Sequence, residues 1–259
     1  MTAIPHYYSS LEPFRELFQS GYPVLTYHHI GPRSRGARLK GLYVSPRLFS
    51  RQLTELQSAG FATGVLSDFL KCKNGSVCAG SHRVCLTFDD GFHDIFEHAL
   101  PLLAQRRARA TVFLVAHLIG KTNEWQQRQG DVIESLMDES QIRDWLAAGN
   151  EIGSHTLTHP FLTQLSITEA RDEIFASKKS LEDRFGVAVN HFCYPYGDWN
   201  PAVRDLVAEA GYQTACTTAT GINQPETAAL ELRRFTARYP SRNLKAVWRR
   251  LRNFFPGKP

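Results

Sequence analysis

Long apolar runs are missing from this sequence of 259 residues. No stretch of about 20 consecutive apolar residues is present, so no transmembrane helix is predicted. The first 20 residues also lack the apolar core of a secretory signal peptide, because Pro5, Glu12 and Glu16 interrupt them. We therefore expect a cytoplasmic protein.

Cysteine is scarce, and its spacing is irregular. The five cysteines are an odd number without a C-x-x-C pair: Cys72, Cys78, Cys85, Cys193 and Cys216. This pattern disfavours a disulfide scaffold and favours a reducing compartment. A bridge between Cys72 and Cys78 is the alternative, and free thiols are favoured.

A large excess of charge of one sign is also absent. The 30 basic and 25 acidic residues give a formal net charge of +5. That mild excess suits an anionic ligand but does not indicate nucleic-acid binding. Hydrophobic residues at 42% and charged residues at 21% are typical of a globular chain that buries one large core.

Predicted strands and helices alternate at least six times along the chain. Alternating βα units predict an α/β fold with a parallel sheet or barrel, whose site lies at the carboxyl ends of the strands. We assign residues 1–21 to a helical lead-in, residues 22–240 to one domain and residues 241–259 to a basic amphipathic tail.

One predicted strand, Arg83–Phe88, ends in two adjacent carboxylates, Asp89 and Asp90. Two neighbouring carboxylates are costly to hold together unless a cation or a proton separates their roles. Successive strand residues point to opposite faces, so both side chains reach one site only if the chain bends, which we predict at Gly91. A plain Asp-Asp-Gly surface turn is the alternative.

Two histidines, His155 and His159, follow the predicted strand over residues 151–154. We expect their imidazoles to lie one helical turn apart, within reach of a single ion. A carboxylate from another strand end would complete a 2-His-1-carboxylate site with open positions, as hydrolytic metals require. The pair alone fits two unrelated polar or capping histidines equally well.

Other polar residues also stand at predicted strand ends, where a parallel fold brings them to one face. His28 and His29 end the strand that begins at Val24, and Tyr194 begins such a segment at another strand end. Trp125 lies in residues 116–138, an irregular segment long enough to form a wall of a site. Trp125 and Tyr194 either stack on a sugar ring or belong to the core.

Three motifs, in their order along the chain, resemble those of the polysaccharide deacetylases. This family is also called the NodB-homology family or carbohydrate esterase family 4. The motifs are T-F-D-D-G at residues 87–91, H-T-x-x-H at 155–159 and Y-P-Y-G at 194–197. The resemblance covers roughly residues 22 to 236. It implies a distorted (β/α) barrel of about seven strands that hydrolyses the N-acetyl group of an amino sugar.

The same resemblance implies a role for each motif residue. Asp89 would be the general base, and Tyr196 would donate its backbone N–H to the developing oxyanion. The ligands of one divalent metal would be Asp90, His155 and His159. Zinc is the expected ion, with Ni²⁺, Co²⁺ or Fe²⁺ as alternatives.

Two positions depart from the family pattern. Cys193 stands where the family usually has an arginine that orients the base, and no histidine follows His191 to serve as the late general acid. Tyr27-His28-x-Ile30 resembles the branch related to the biofilm poly-N-acetylglucosamine deacetylases, in which the acid-bearing strand is permuted to the N-terminus. This resemblance makes His28 the general acid, with His29 pointing away as a structural residue.

Arg234 is the predicted replacement for the missing arginine, because Leu232-Arg233-Arg234-Phe235 lies at another predicted strand end. The alternative is that both arginines are solvated.

The tail over residues 241–259 has apolar and basic residues at helical spacing. It predicts either an interfacial helix on the inner face of a membrane, with a lipid-linked sugar as substrate, or a helix packed on the barrel. For the function of the whole chain, the alternatives are a carbohydrate O-acetyl esterase and a non-catalytic carbohydrate-binding relative.

Overall fold

The computed structural model describes residues 5–73, 82–127 and 130–239, and a curled parallel sheet forms its centre. Ten strands occur in these residues: β1 Val24–Tyr27, β2 His29–Ile30, β3 Tyr43–Val44, β4 Ala62–Gly64, β5 Arg83–Phe88, β6 Thr111–Leu114, β7 Glu151–Ser154, β8 His191–Cys193, β9 Thr214–Cys216 and β10 Phe235–Thr236.

Eight α-helices accompany the strands within the same described ranges. They are α1 Arg15–Gln19, α2 Pro46–Ser58, α3 Leu66–Lys73, α4 Leu100–Gln105, α5 Glu124–Gln127, α6 Glu139–Ala147, α7 Ile167–Phe185 and α8 Pro201–Glu209. Helix α4 continues a π-helical turn, Ile95–Ala99. Helix α2 begins where Ser45 caps it, because the Ser45 side chain accepts a hydrogen bond from the Leu48 backbone N–H.

The main sheet runs in the order β10-β1-β5-β6-β7-β8-β9, and every pair is parallel. Strand β4 pairs with the first half of β5. Leu232 bridges to Cys216 at the end of β9, and β10 pairs with β1, so residues 232–236 join the two ends of the sheet. The predicted distorted barrel of about seven strands is confirmed.

Two predicted strands have different bounds in the structure. The single strand expected over residues 24–30 is divided at His28, because β1 pairs with β5 whereas β2 pairs with β3. The strand predicted to end near Leu232-Arg233-Arg234-Phe235 occurs at Phe235–Thr236 after a 3-10 turn, Ala229–Glu231. Both differences arise from hydrogen-bond partners that are distant in sequence.

The strands separate two apolar layers, as their side-chain alternation requires. Leu25, Leu86 and Phe192 belong to the large cluster of buried apolar residues that includes residues of α2, α6 and α7. Their neighbours Val24, Cys85 and Cys193 belong to a second, smaller cluster together with residues from other strands. Because consecutive strand residues fall in different clusters, we identify the smaller cluster as the barrel interior.

Gly153 in β7 lies in tight contact with β6 and β8. A methyl group at this position would stand 2.5 Å from Cδ1 of Phe113 and 2.9 Å from the backbone oxygen of His191. We expect Gly153→Ala to lower the free energy of unfolding by about 1–3 kcal/mol, measured by denaturant unfolding. Adding Phe113→Leu should recover part of the loss, and an unchanged transition midpoint for Gly153→Ala would contradict this packing.

Three cysteine thiols are free and buried: Cys85, Cys193 and Cys216. Burial raises their pKa to about 12, about 11 and about 12 respectively. At neutral pH we expect iodoacetamide to label these thiols only in unfolded protein, as peptide mass spectrometry would show. Rapid labelling of any of the three in native protein would disagree with the structure.

Two predictions fall outside the part of the chain that the structure describes. They are the amphipathic tail over residues 241–259 and the Cys72–Cys78 bridge, and both stay predictions. Within the described residues, no helix combines the length and the apolarity needed to span a bilayer.

Candidate active site

One cavity of about 300 Å³ brings together all nine side chains that the sequence singles out. They are His28, Asp89, Asp90, Trp125, His155, His159, Tyr194, Tyr196 and Arg234. The cavity lies beyond the carboxyl ends of β1, β5, β7 and β8, where a parallel α/β fold places its site.

A sharp bend after β5 lets both aspartates line the cavity. The backbone φ angle is 72° at Asp90 and 74° at Gly91, so the bend begins one residue earlier than predicted. A left-handed aspartate costs of order 1–3 kcal/mol, and such residues cluster at functional sites. The buried backbone N–H of Asp89 donates to the Tyr27 carbonyl at 2.9 Å, which fixes the start of the bend.

The segment from His155 to His159 is a loop, so the predicted helical spacing is wrong. Thr156 (φ 68°) and His159 (φ 65°) both adopt left-handed backbone conformations, which a continuous α-helix excludes. The Thr156 hydroxyl accepts a hydrogen bond from the His159 backbone N–H, and the Glu173 carboxylate accepts from Leu157. The two imidazoles nevertheless meet, with centroids 4.7 Å apart.

Asp90, His155 and His159 form a cluster suited to one metal ion. Oδ1 of Asp90 lies 3.4 Å from Nε2 of His155 and 3.3 Å from Nε2 of His159. Ligands about 2.0–2.1 Å from a tetrahedral zinc ion stand about 3.3 Å apart. The ligand atoms of all three residues lie within 4.8 Å of one another, so the residues present fit a divalent metal.

The orientation of the imidazoles supports the same fit. Nδ1 of His155 donates to the Cys193 carbonyl at 2.7 Å, which directs Nε2 to the cavity. Burial would raise the pKa of Asp90, but hydrogen bonds from both histidines hold it well below its usual range. Burial opposes the charge on both imidazoles, yet the pKa of His155 is raised well above its ordinary value by Cys193 and Asp90. The pKa of His159 is lowered because burial prevails.

Asp89 is bound by Arg234 through two parallel hydrogen bonds. The Arg234 guanidinium donates to Oδ1 at 2.7 Å and to Oδ2 at 2.8 Å, and both side chains are buried. Burial would raise the pKa of Asp89, but the charges of Arg234 and His28 bring it below its ordinary value. The carboxylate is therefore ionised and held in one orientation.

Arg234 is itself fixed by the barrel interior. Its guanidinium donates to the Thr217 carbonyl at 3.0 Å, to the Thr87 hydroxyl at 3.2 Å and to the Cys193 sulfur at 3.2 Å. Cys193 stands where the family usually has the arginine that orients the base. Arg234, the predicted replacement for that arginine, contacts Cys193 directly. The alternative of a solvated Arg234 is wrong, whereas Arg233 is exposed.

The two adjacent histidines point in different directions, as predicted. Nε2 of His28 lies 3.8 Å from Oδ2 of Asp89. Burial lowers the pKa of His28, and the nearby Asp89 carboxylate offsets part of that effect. His29 is stacked between aromatic rings and lies 3.0 Å from Asp94 and 3.1 Å from Glu134, which fits a structural role.

Aromatic residues form the walls of the cavity. Trp125 stacks on His159, with centroids 4.5 Å apart at 19°, so this wall supports the metal-site cluster. The ring of Tyr196 meets His159 nearly edge-on, and its backbone is left-handed with φ 59°. Tyr194 is 1% exposed, and its hydroxyl donates to the Leu230 carbonyl at 3.1 Å. The prediction that residues 116–138 contribute a wall is confirmed.

The sequence did not indicate a second wall, which carries Leu39 and Leu42 into the cavity. This wall is tied to the first by a carboxylate: Asp131 accepts the backbone N–H groups of Arg38 at 2.8 Å and Leu39 at 3.0 Å. No local pattern marks these residues, because the contact joins segments that are more than 90 positions apart.

The chain is similar in sequence to known proteins of one family. A family model described as "Polysaccharide deacetylase" matches residues 76–215, more than half of the chain. The Bacillus subtilis (strain 168) protein YxkH is 27% identical over 199 residues, which cover 77% of this chain and 65% of YxkH. A chitooligosaccharide deacetylase from Bradyrhizobium sp. (strain ANU 289) is 29% identical over 141 residues, or 54% of this chain and 57% of that enzyme. The chain thus spans less than two thirds of either relative.

A solved structure extends the likeness beyond the family model. The Streptococcus pyogenes deacetylase PplD, in complex with acetate, matches with a TM-score of 0.73 and 24% identity. The match covers 88% of this chain and 97% of PplD, and at this identity it shows the shared fold alone. His28 and Arg234 lie outside residues 76–215, so their place in the site comes from the tertiary structure.

Proposed function

This chain belongs to the polysaccharide deacetylase family, and we propose that it hydrolyses the N-acetyl group of an amino sugar within a glycan. The supporting observation is one cavity in which a 2-His-1-carboxylate cluster lies beside a second carboxylate bound by an arginine. Amide hydrolysis needs a polarised carbonyl, a base for the attacking water and an acid for the leaving amine. The cavity offers a candidate for each.

Asp90, His155 and His159 would hold a divalent metal, with zinc as the expected ion. When bound, such an ion supplies Lewis-acid polarisation of the acyl carbonyl and lowers the pKa of water. The protein's contribution is to fix three ligand atoms at one point, through the bend at Asp90 and the hydrogen bond from His155 to Cys193.

Asp89 is the proposed general base. Arg234 keeps its carboxylate ionised and oriented, so it can accept a proton from the attacking water. His28 is the proposed general acid, because it lines the cavity with its Nε2 3.8 Å from Oδ2 of Asp89 and, when its imidazole is protonated, can donate a proton to the leaving amine. The backbone N–H of Tyr196 is the proposed donor to the developing oxyanion, supported by the position of Tyr196 in the cavity wall.

Acetate release tests the function. Purified protein would be supplied with chito-oligomers, N-acetylated monosaccharides, lipid-linked amino sugars and O-acetylated xylan, with Asp89→Asn as the matched control. We expect acetate from an N-acetylated substrate and a rate about 10²–10⁴ times lower for Asp89→Asn. Full activity of Asp89→Asn would contradict the assigned base, and acetate from O-acetylated sugars alone would favour the esterase alternative.

A further inference from the structure

A second cavity opens beside the first and forms a groove along the protein surface. It has a volume of about 760 Å³ and shares Trp125, His159 and Tyr196 with the catalytic cavity. Sites for small ligands range from about 300 to about 1,000 Å³. The catalytic cavity of about 300 Å³ stands at the lower end of that range, so a ligand larger than one sugar ring would continue into the groove.

Phe161 gives the groove a flat aromatic surface. It is 38% exposed, so part of its side chain is open to solvent. One face of its ring stacks on Tyr196, with centroids 3.9 Å apart and an angle of 9° between the planes. The ring therefore extends the aromatic wall of the catalytic cavity outward into the groove that Phe161 lines.

The aromatic surface is held in place by two hydrogen bonds. Both the backbone N–H and the hydroxyl of Thr163 donate to the carboxylate of Asp198, each at 2.8 Å. These bonds join the turn after Phe161 to the turn that carries Tyr196. Because the two stacked rings are fixed before a ligand arrives, little conformational entropy is lost when one binds.

The groove combines this surface with a polar rim, which matches the chemistry of a sugar ring. A pyranose presents a face of C–H groups, attracted by the negative face of an aromatic ring, and an edge of hydroxyl groups that need hydrogen-bond partners. The exposed side chains of Glu124, Gln127 and Gln164 line the groove and can supply such partners.

We propose that the groove binds the sugar residue next to the one that is deacetylated, with Phe161 as its stacking platform. The substrate is then an oligosaccharide or polysaccharide of N-acetylated hexosamine, whose neighbouring sugar would extend from the catalytic cavity into the groove that Phe161 lines. This inference rests on the proposed function and deepens it.

The activity test compares chitotetraose with the monosaccharide N-acetylglucosamine. The ratio of their kcat/KM values would be measured for wild type, Phe161→Ala, Phe161→Tyr and the control Ile167→Ala, which removes an exposed apolar side chain outside the groove. We expect the preference for chitotetraose to fall about three- to tenfold in Phe161→Ala and to be retained in Phe161→Tyr and Ile167→Ala. An unchanged ratio in Phe161→Ala would overturn the inference.

A binding test separates this inference from the proposed function. In the Asp89→Asn background, calorimetric titration with chitotetraose should give a Kd that rises about three- to tenfold on adding Phe161→Ala. An equal Kd, or no binding, would overturn the inference even if wild type releases acetate. Binding that depends on Phe161, without acetate release from any N-acetylated substrate, would contradict the proposed function and support the groove.

Discussion

Replacement of Arg234 by alanine is expected to lower kcat by about two to four orders of magnitude and to destabilise the fold by about 3–5 kcal/mol. The substitution would leave the buried Asp89 carboxylate without the partner that donates to both of its oxygens. Asp89 would then lose its orientation, and burial would favour its protonated form, which cannot act as a base.

Two variants make this prediction specific. Arg234→Lys keeps the positive charge but cannot form two parallel hydrogen bonds, so we expect it to recover stability more than kcat. Arg233→Ala makes the same change at the adjacent, exposed residue and should leave both quantities close to wild type. Acetate-release kinetics and denaturant unfolding measure the two effects. A kcat near wild type for Arg234→Ala would show that Asp89 does not depend on this arginine.

Changes in the Asp90, His155 and His159 cluster are expected to have the second large effect. His155→Gln and His159→Gln each remove an imidazole, and Asp90→Asn removes the carboxylate charge. Because three protein ligands are the usual minimum for a catalytic zinc site, each change should weaken zinc binding by at least about tenfold and abolish measurable activity. Zinc content after equilibrium dialysis measures the binding directly.

A stability readout accompanies the binding measurement. An ion that binds only the folded chain adds about 2.7 kcal/mol when present at 100 times its Kd. Zinc should therefore raise the Tm of wild type and of the control His117→Gln, an exposed histidine that does not line the cavity, by more than it raises the Tm of His159→Gln. A chelator should remove both the Tm increase and the activity, and zinc should restore them. Equal zinc content in wild type and all three cluster variants would contradict the assigned ligands.

The sequence predicted which residues form the site better than it predicted the backbone conformation around them. Asp89, Asp90, His155 and His159 each follow a predicted strand, and parallel topology sends such residues to one face. The backbone that orients them was less predictable. The bend begins at Asp90, and the histidine segment is a loop, because Thr156 and His159 adopt left-handed conformations that local propensity disfavours.

The contact between Arg234 and Asp89 shows the same limit. The sequence marks two adjacent arginines near a strand end, and nothing local distinguishes them. In the structure, Arg234 is buried against Asp89 while Arg233 is exposed, and both lie in the segment between the bridge from Leu232 to β9 and the pairing of β10 with β1. The register of that segment is set by pairing with strands far away in the chain.

By itself, the sequence pattern determined the α/β class and the residue types gathered after the Arg83–Phe88 strand, because apolar periodicity and strand-end chemistry are local properties. The number of strands, about seven, was implied by the family resemblance. The family resemblance implied how Asp89 and Asp90 divide their contacts, but only the tertiary structure gives the physical cause of that division. Asp89 faces Arg234 and Asp90 faces the two histidines, since the barrel closes through residues 232–236 and the chain bends between the carboxylates. Closure and register depend on hydrogen bonds between distant strands, which no local pattern encodes.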